Sequence, residues 1–330
     1  MDRQKAVRCP ECRELTRPED LYCEACGAPI SRAGTEPGDR NTAGRGSSNG
    51  PLDRDAAAAA ETEHVELAFD DMAGISDRGL RRARNEDAMA LARIAARGAR
   101  VMVVCDGVST SARPAQAAQA AAEATLRHLV AALGLGHSNF EQAMKEAVNV
   151  AQGAVCRVPY EPDGHGEGLT PEAAVEDQGP PATTLVAALL MEGRVTLGWV
   201  GDSRAYFVGT GEAWQLSHDD TWLEEVIQPH LVGEAGAQVA LRAHVLTRWL
   251  GSDQEGSPEV SITTFLLPAE GFLLLCSDGL WNYAPTPGQI RELVSGLPAD
   301  STPLQLTRGL VEFARNAGGA DNITVAVATV

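Results

Sequence analysis

Two hydrophobic runs in this chain drive straight into Asp-Gly: VMVVCDGV from Val101 to Val108, and FLLLCSDGLW from Phe272 to Trp281. A third carboxylate, Asp321, stands just before the closing run ITVAVATV. Asp-Gly alone is a common turn pair, because Gly accepts a positive φ and Asp hydrogen-bonds its own backbone. Three carboxylates beside strand-like runs carry more. Charges at the ends of buried strands need compensation, and a divalent cation is the commonest compensation for clustered carboxylates.

The flanking pattern sets the fold class. HVELAFDDMAG and DAMALARI read as strands around the loop ISDRGLRRARNE. Residues 114–133 and 140–157 have helical spacing, with small apolar residues on one face. A Pro/Gly/acidic loop covers 158–182. TLVAALLMEGRVTLGWVGDSRAYFVGTGEAWQLS then reads as a strand meander broken by EG, GD and GTGE turns. A less regular stretch, 222–247, precedes SITTFLL, GFLLLC, helices near 287–295 and 303–317, and the closing strand. Strands come in blocks and helices in pairs. That order predicts an α+β fold, antiparallel sheets carrying helix pairs on their outer faces.

The chain has 330 residues, 44% of them hydrophobic. This is enough for one core of about 250 residues and a small appendage. The net charge is −18. Residues 1–60 hold nine Lys/Arg against ten Asp/Glu, so nearly all the excess falls on the remainder. An acidic body of that size argues against nonspecific nucleic-acid binding and fits a protein that concentrates cations. No apolar stretch reaches the length of a membrane span. The start, MDRQKAVRCPEC, lacks the apolar region of a signal peptide. A cytoplasmic protein is expected, organised as a cysteine-punctuated module (1–30), a flexible linker (31–62) and a globular domain (63–330).

The stretches ISDRGLRRARNEDA, VVCDGV, ATTLVAAL, WVGDSRAYFV, LSHDDTWLEEVI, VLTRWLG, LLLCSDGLW and GADNITVAV occur in this order from about Val65 to Val330. The series resembles the metal-dependent serine/threonine protein phosphatases of type 2C, most closely their bacterial branch. The resemblance implies a four-layer αββα sandwich with two Mn²⁺ or Mg²⁺ ions at one end. Asp106 would bridge both ions, and the Gly107 carbonyl would ligate one. Asp278 and Asp321 would complete the shell, Glu86 and Asp87 would hold metal-bound waters, and Arg82 would bind the substrate phosphate. Asp202 matches a residue of a third, weaker metal site. The residue types agree with that chemistry. Mg²⁺ and Mn²⁺ take hard oxygen ligands and keep several waters, and paired ions lower the pKa of a bridging water. The nucleophile would be the bridging hydroxide, with no Ser, Cys or His nucleophile. A guanidinium grips two phosphate oxygens at once, which suits Arg at position 82.

Other residues have plainer readings. Asp219 and Asp220 are expected to be structural, as are His218 and His244. Asn322 is expected to cap or orient the Asp321 loop. Cys105, Cys156 and Cys276 sit in apolar contexts and are expected to be buried thiols. The run DGVSTSARP departs from the family, whose first Asp-Gly usually continues with glycines or, in some members, a His. Val108 cannot donate a proton, and Ser109 and Thr110 in place of glycines would narrow the approach to the metals that the resemblance implies.

Cys9-x2-Cys12 and Cys23-x2-Cys26 fall within 18 residues. Such pairs are the signature of a tetrahedral four-cysteine zinc site, with a pair of disulfides or a redox sensor as the alternatives; the segment resembles a zinc ribbon, and zinc would supply folding energy that so short a segment lacks. Its near-neutral charge points to protein docking. The expected function is hydrolysis of phosphoserine and phosphothreonine in partner proteins, with the ribbon as docking module. Two rivals stand beside it: a phosphatase-fold protein that binds phosphoproteins without turnover, and an assembly or nucleic-acid adaptor built around the ribbon.

Overall fold

The computed structural model describes residues 63–160, 179–222, 224, 245–252, 259–267 and 270–330, with two short strands near the N-terminus. The chain divides into two compact units, Met1–Arg54 and Asp55–Val330. In the first, β1 (Val7–Arg8) pairs antiparallel with β2 (Leu15–Thr16). Cys9, Cys12, Cys23, Cys26 and the segment 31–62 lie outside the described residues.

The second unit opens with β3 (His64–Ala68), β4 (Met72–Asp77), β5 (Asp87–Ile94) and β6 (Ala99–Asp106). Helices α1 (Pro114–Gly134) and α2 (Phe140–Val155) follow. Then come β7 (Ala182–Thr183), β8 (Leu185–Met191), β9 (Arg194–Val200), β10 (Arg204–Val208), β11 (Ala213–Gln215), β12 (Leu250–Gly251), β13 (Ser261–Leu266) and β14 (Phe272–Cys276). The chain closes with α3 (Asp278–Trp281), α4 (Pro287–Ser295), α5 (Pro303–Ala317) and β15 (Ile323–Thr329). One sheet has the order β11-β10-β14-β15-β4-β3, the other β13-β9-β8-β6-β5. Every ladder between named strands is antiparallel.

The layering follows from the period-2 alternation of strands buried on both faces. On β6, Val101, Val103 and Cys105 pack under α1 and α2, while Met102 and Val104 enter the space between the sheets. On β15, Ala326 and Ala328 meet that same middle core. Val325 and Val327 face a third core with Ile290 of α4 and Leu306 and Leu310 of α5. Three cores separate four layers, α1/α2, two antiparallel sheets, and α4/α5, so the αββα sandwich expected from the sequence is the fold. Each large apolar side chain so buried contributes about 1.5–3 kcal/mol. On α1 the buried residues Ala117, Ala118, Ala121 and Ala122 are small, which lets the helix close on β5 and β6. Helices α4 and α5 both start with Thr-Pro-x-Gln and form full capping boxes, Thr286 with Gln289 and Thr302 with Gln305.

Four expectations change. β4 runs through Ser76 and Asp77, so the arginine-rich loop starts at Arg78. The apparent meander splits, because β8 and β9 belong to one sheet, β10 and β11 to the other, and the turn Gly201–Ser203 crosses between them. The second Asp-Gly is no simple turn, since Asp278 opens the helical turn α3 behind an extended Ser277. Cys105 and Cys276 are buried, but Cys156 is exposed. It follows Val155, the last inward-facing residue of α2, and caps the helix at its solvent end. Most of the loop 158–182, most of the stretch 222–247, and His244 lie outside the described residues.

Candidate active site

The antiparallel register brings the acidic strand ends to one end of the sandwich. Asp87, opening β5, sits directly opposite Asp106, closing β6. Ile323 on β15 sits opposite Asp77 on β4, which sets Asp321 beside the start of the loop 78–86. Asp278 follows β14, and Asp202 lies in the turn between the sheets. Gly107 has no room for a side chain, because a Cβ there would stand 2.6 Å from the Pro114 carbonyl and 2.7 Å from that of Glu86. Gly279 is tighter still, with a Cβ 1.9 Å from the Asn322 carbonyl oxygen.

Hydroxyl groups fix these ends. Ser277 Oγ donates to Asp87 Oδ2 at 2.7 Å, a bond between the two sheets. Thr324 N–H donates to Ser277 Oγ at 3.0 Å, and Thr324 Oγ1 reaches Ser76 Oγ at 2.8 Å. Around Asp106, the backbone N–H donates to Thr184 Oγ1 at 3.1 Å and Thr183 Oγ1 donates to the carbonyl at 2.9 Å. Thr184 Oγ1 also lies 2.8 Å from Ser203 Oγ, joining the Asp106 strand to the turn that carries Asp202. Sequence reasoning passed over this hydroxyl framework. Its only trace was the Thr pair in ATTLVAAL and the Ser in GDSRAY and CSDG.

The carboxylates are crowded. Burial, then Asp87, Asp278, Asp321 and Asp202, hold the Asp106 carboxyl well above the usual range. Burial, then Asp321, Asp202 and Asp87, do the same to Asp278. Burial pushes Asp87 up to about 7, partly relieved by Ser277. Burial and the charge of Asp219 push Asp202 up to about 7. Glu86 is raised by burial and Asp321, against the pull of Arg82. Guanidinium groups answer them in part: Arg204 acts on Asp202, Arg84 on Glu86, and Arg82 on the centre of the cluster. Arg82 Nη2 donates to Asp321 Oδ2 at 2.7 Å, and although burial opposes its charge, Asp321, Asp106 and Asp278 more than restore it.

Beyond its bond to Asp321, Arg82 is held by its loop. Asn322 Nδ2 donates to the carbonyls of Arg78 at 2.8 Å and Arg84 at 2.9 Å, and its Oδ1 accepts from Glu86 N–H at 2.8 Å. Its backbone N–H donates to Asp321 Oδ1 at 2.8 Å. Asn322 therefore pins both ends of the loop carrying Arg82, a wider role than orienting Asp321. Asp219 pairs with Arg204, Asp220 accepts from Gly201 N–H and pairs with Arg248, and the His218 carbonyl accepts from Trp199 Nε1. Val108 N–H donates to the Ala182 carbonyl and Ser109 and Thr110 are exposed beside it.

The donor set suits a hard divalent cation. Asp278 Oδ1 and Asp87 Oδ1 are buried without a hydrogen-bond partner. An unpartnered buried carboxylate oxygen is costly unless a cation or water meets it. Among the described residues, no three Asp, Glu, His or Cys side chains close tightly enough to hold an ion unaided. A wider ring of oxygens with water between is what Mg²⁺ and Mn²⁺ accept.

Residues 80–297 match the family model "Protein phosphatase 2C". The chain belongs to the protein phosphatase 2C family. The matched segment contains Arg82, Asp106, Asp202 and Asp278, while Asp321 lies beyond it. Among protein phosphatase 2C relatives, the serine/threonine protein phosphatase PstP of Mycobacterium tuberculosis is 30% identical over 263 residues, 77% of this chain and 44% of that protein. The serine/threonine phosphatase stp of Listeria innocua is 35% identical over 145 residues, 43% of this chain and 54% of that protein. The chain thus spans about half the length of the curated relatives it matches. A solved PstP catalytic domain in complex with 2 manganese ions is 28% identical with a TM-score of 0.54, covering 78% of this chain and 97% of that one.

Proposed function

We propose that the Asp55–Val330 unit is a metal-dependent phosphatase that removes phosphate from serine and threonine side chains of other proteins. The observation that carries this reading is the buried, unpartnered Asp278 Oδ1 within a ring of carboxylates that Arg82 offsets only in part. Family membership and the manganese-bound relative support it. Asp106, the Gly107 carbonyl, Asp278 and Asp321 would hold two Mn²⁺ or Mg²⁺ ions, Glu86 and Asp87 would act through waters, and Asp202 with Asp278 would take a third. Such ions supply an activated water and the positive charge that in-line displacement at phosphorus requires. Arg82 would exchange Asp321 for two phosphate oxygens, orienting the ester. Water adds to phosphorus, the bond to the Ser or Thr oxygen breaks, and that oxygen leaves as the alcohol, its proton coming from solvent because Val108 has none to give.

The reading includes a zinc ribbon that docks the enzyme to a protein partner in the cytoplasm. Two CxxC pairs support it, as does the β1–β2 hairpin, whose strands bracket Cys9 and Cys12 in sequence. No described helix is long and apolar enough to cross a membrane. Metal analysis of the full chain should find one zinc, lost in Cys9→Ser.

Hydrolysis of an aryl phosphate and of a phosphothreonine peptide, with and without Mn²⁺, tests the catalytic reading. Metal-dependent turnover abolished by Asp106→Asn and by Asp278→Asn is expected. A folded chain that binds Mn²⁺ and phosphopeptide without turnover would overturn catalysis in favour of a phosphoprotein-binding role.

A further inference from the structure

Arg204 is gripped by a carboxylate, a phenol, a backbone carbonyl and an indole ring, and none of the roles assigned above uses it. It opens β10 opposite Cys276, two residues ahead of Asp278. Its side chain is only 12% exposed. Nε donates to Asp219 Oδ1 at 2.9 Å and Nη2 to Oδ2 at 2.7 Å, a two-pronged grip. Nη1 donates to Tyr206 Oη at 3.2 Å and to the Pro285 carbonyl at 3.0 Å. The guanidinium carbon lies 3.8 Å from the centre of the Trp281 ring. Trp281 closes α3, the helical turn that Asp278 opens, and its Nε1 donates to the Asp202 carbonyl at 3.0 Å.

These contacts form a closed circuit. Asp202 lies two residues before Arg204 on one chain segment, and Asp278 lies three before Trp281 on another. The guanidinium is gripped by Asp219 and lies over the face of the indole, while the indole's edge N–H is tied to the Asp202 carbonyl. We propose that Arg204 is a positioning residue that sets the separation of Asp202 from Asp278, and through it the affinity of that side of the site for a divalent cation. The inference rests on the metal-dependent reading above. Lysine could not serve, because an ammonium is a point charge without the fork that grips Asp219 or the flat face that stacks on Trp281.

Full-length wild type, Arg204→Lys and Trp281→Phe are titrated with Mn²⁺, free Mn²⁺ being read by electron paramagnetic resonance, and aryl phosphate turnover is followed against Mn²⁺ concentration. Arg204→Lys keeps the charge and loses the fork, while Trp281→Phe keeps a ring and loses the N–H to Asp202. Each should weaken Mn²⁺ binding about tenfold, as losses of outer supports around metal ligands do. Saturating Mn²⁺ should restore turnover to within about threefold, with KM for the aryl phosphate changed by less than about twofold, because Arg82 is untouched. That rescue is a signature general loss of structure does not give. Should Arg204→Lys fail to fold by circular dichroism, Trp281→Phe decides. Isotherms that superpose on wild type, or a loss that saturating Mn²⁺ leaves in place, overturn the role of Arg204. A wild type that binds no Mn²⁺ overturns the metal reading itself, and this inference with it.

Discussion

At the scale of single residues, the acidic mouth formed by Asp87, Asp106, Asp202, Asp278 and Asp321 costs stability. Asp278 is buried among like charges, and one of its oxygens has no partner. In EDTA at neutral pH, Asp278→Asn should therefore melt higher than wild type, by about 2–4 °C if about 1 kcal/mol of repulsion is relieved. Excess Mn²⁺ should reverse that order, and calorimetric scans in the two buffers check it. Asn322 should behave differently. Asn322→Ala strands the carbonyls of Arg78 and Arg84 and the N–H of Glu86. The loop carrying Arg82 then loses its pins, and KM for aryl phosphate should rise about tenfold, the equivalent of one charged hydrogen bond to phosphate. An unchanged KM would separate Asn322 from phosphate binding. Asp106, Asp278 and Asp321 were legible in the sequence because each stands beside a small residue at an end of an apolar run, whereas Glu86, Asp87 and Asp202 stood out only through the family resemblance. Ser277 was not, because its bond to Asp87 joins residues 190 positions apart and exists only once the sheets have packed.

Among elements, the ties that matter are those between a strand and the helix covering it. Asp77, the last residue of β4, accepts from Arg315 of α5 at 2.6 Å, from His64 of β3 at 2.7 Å and from Gly79 N–H at 2.8 Å. Burial raises its carboxyl pKa, but these donors outweigh burial and leave it below the ordinary value. An acid with a depressed folded pKa stabilises above its unfolded pKa, and that contribution disappears as pH falls through the folded value. Asp77→Asn should therefore cost about 2 kcal/mol at pH 7, the part-exposed Arg315 reducing what a fully buried pair would give. The gap to wild type in urea melts should narrow steadily as pH drops below about 4, where ordinary carboxyls protonate. The bounds of α4 and α5 were readable because Thr-Pro-x-Gln supplies cap, first-turn proline and box partner together. The split of the meander was not. EG and GD turns look alike in sequence, and only packing decides that one closes a hairpin while the other crosses between sheets.

For the molecule as a whole, the acidic excess is a liability. Nearly all of the net −18 lies beyond residue 60, and self-repulsion favours the expanded chain. Raising NaCl from about 0.02 M to 0.3 M shortens the screening length to below about 10 Å. The metal-free protein should gain a few degrees in melting temperature, and the Mn²⁺-loaded protein clearly less. Equal gains in both would remove the acidic mouth as the main source of repulsion. The sheet order has a mechanical consequence as well. β15 is paired on both sides, with β14 and with β4, whereas among the described residues β3 is an edge strand that pairs with β4 alone. β3 and β15 both run antiparallel to β4, so they point the same way. A motor hauling on the β15 end must strip two ladders at once, with their bonds loaded in shear. The same motor working from the β3 end peels a single strand first. Resistance to enzymatic unthreading should therefore depend on the direction of the pull.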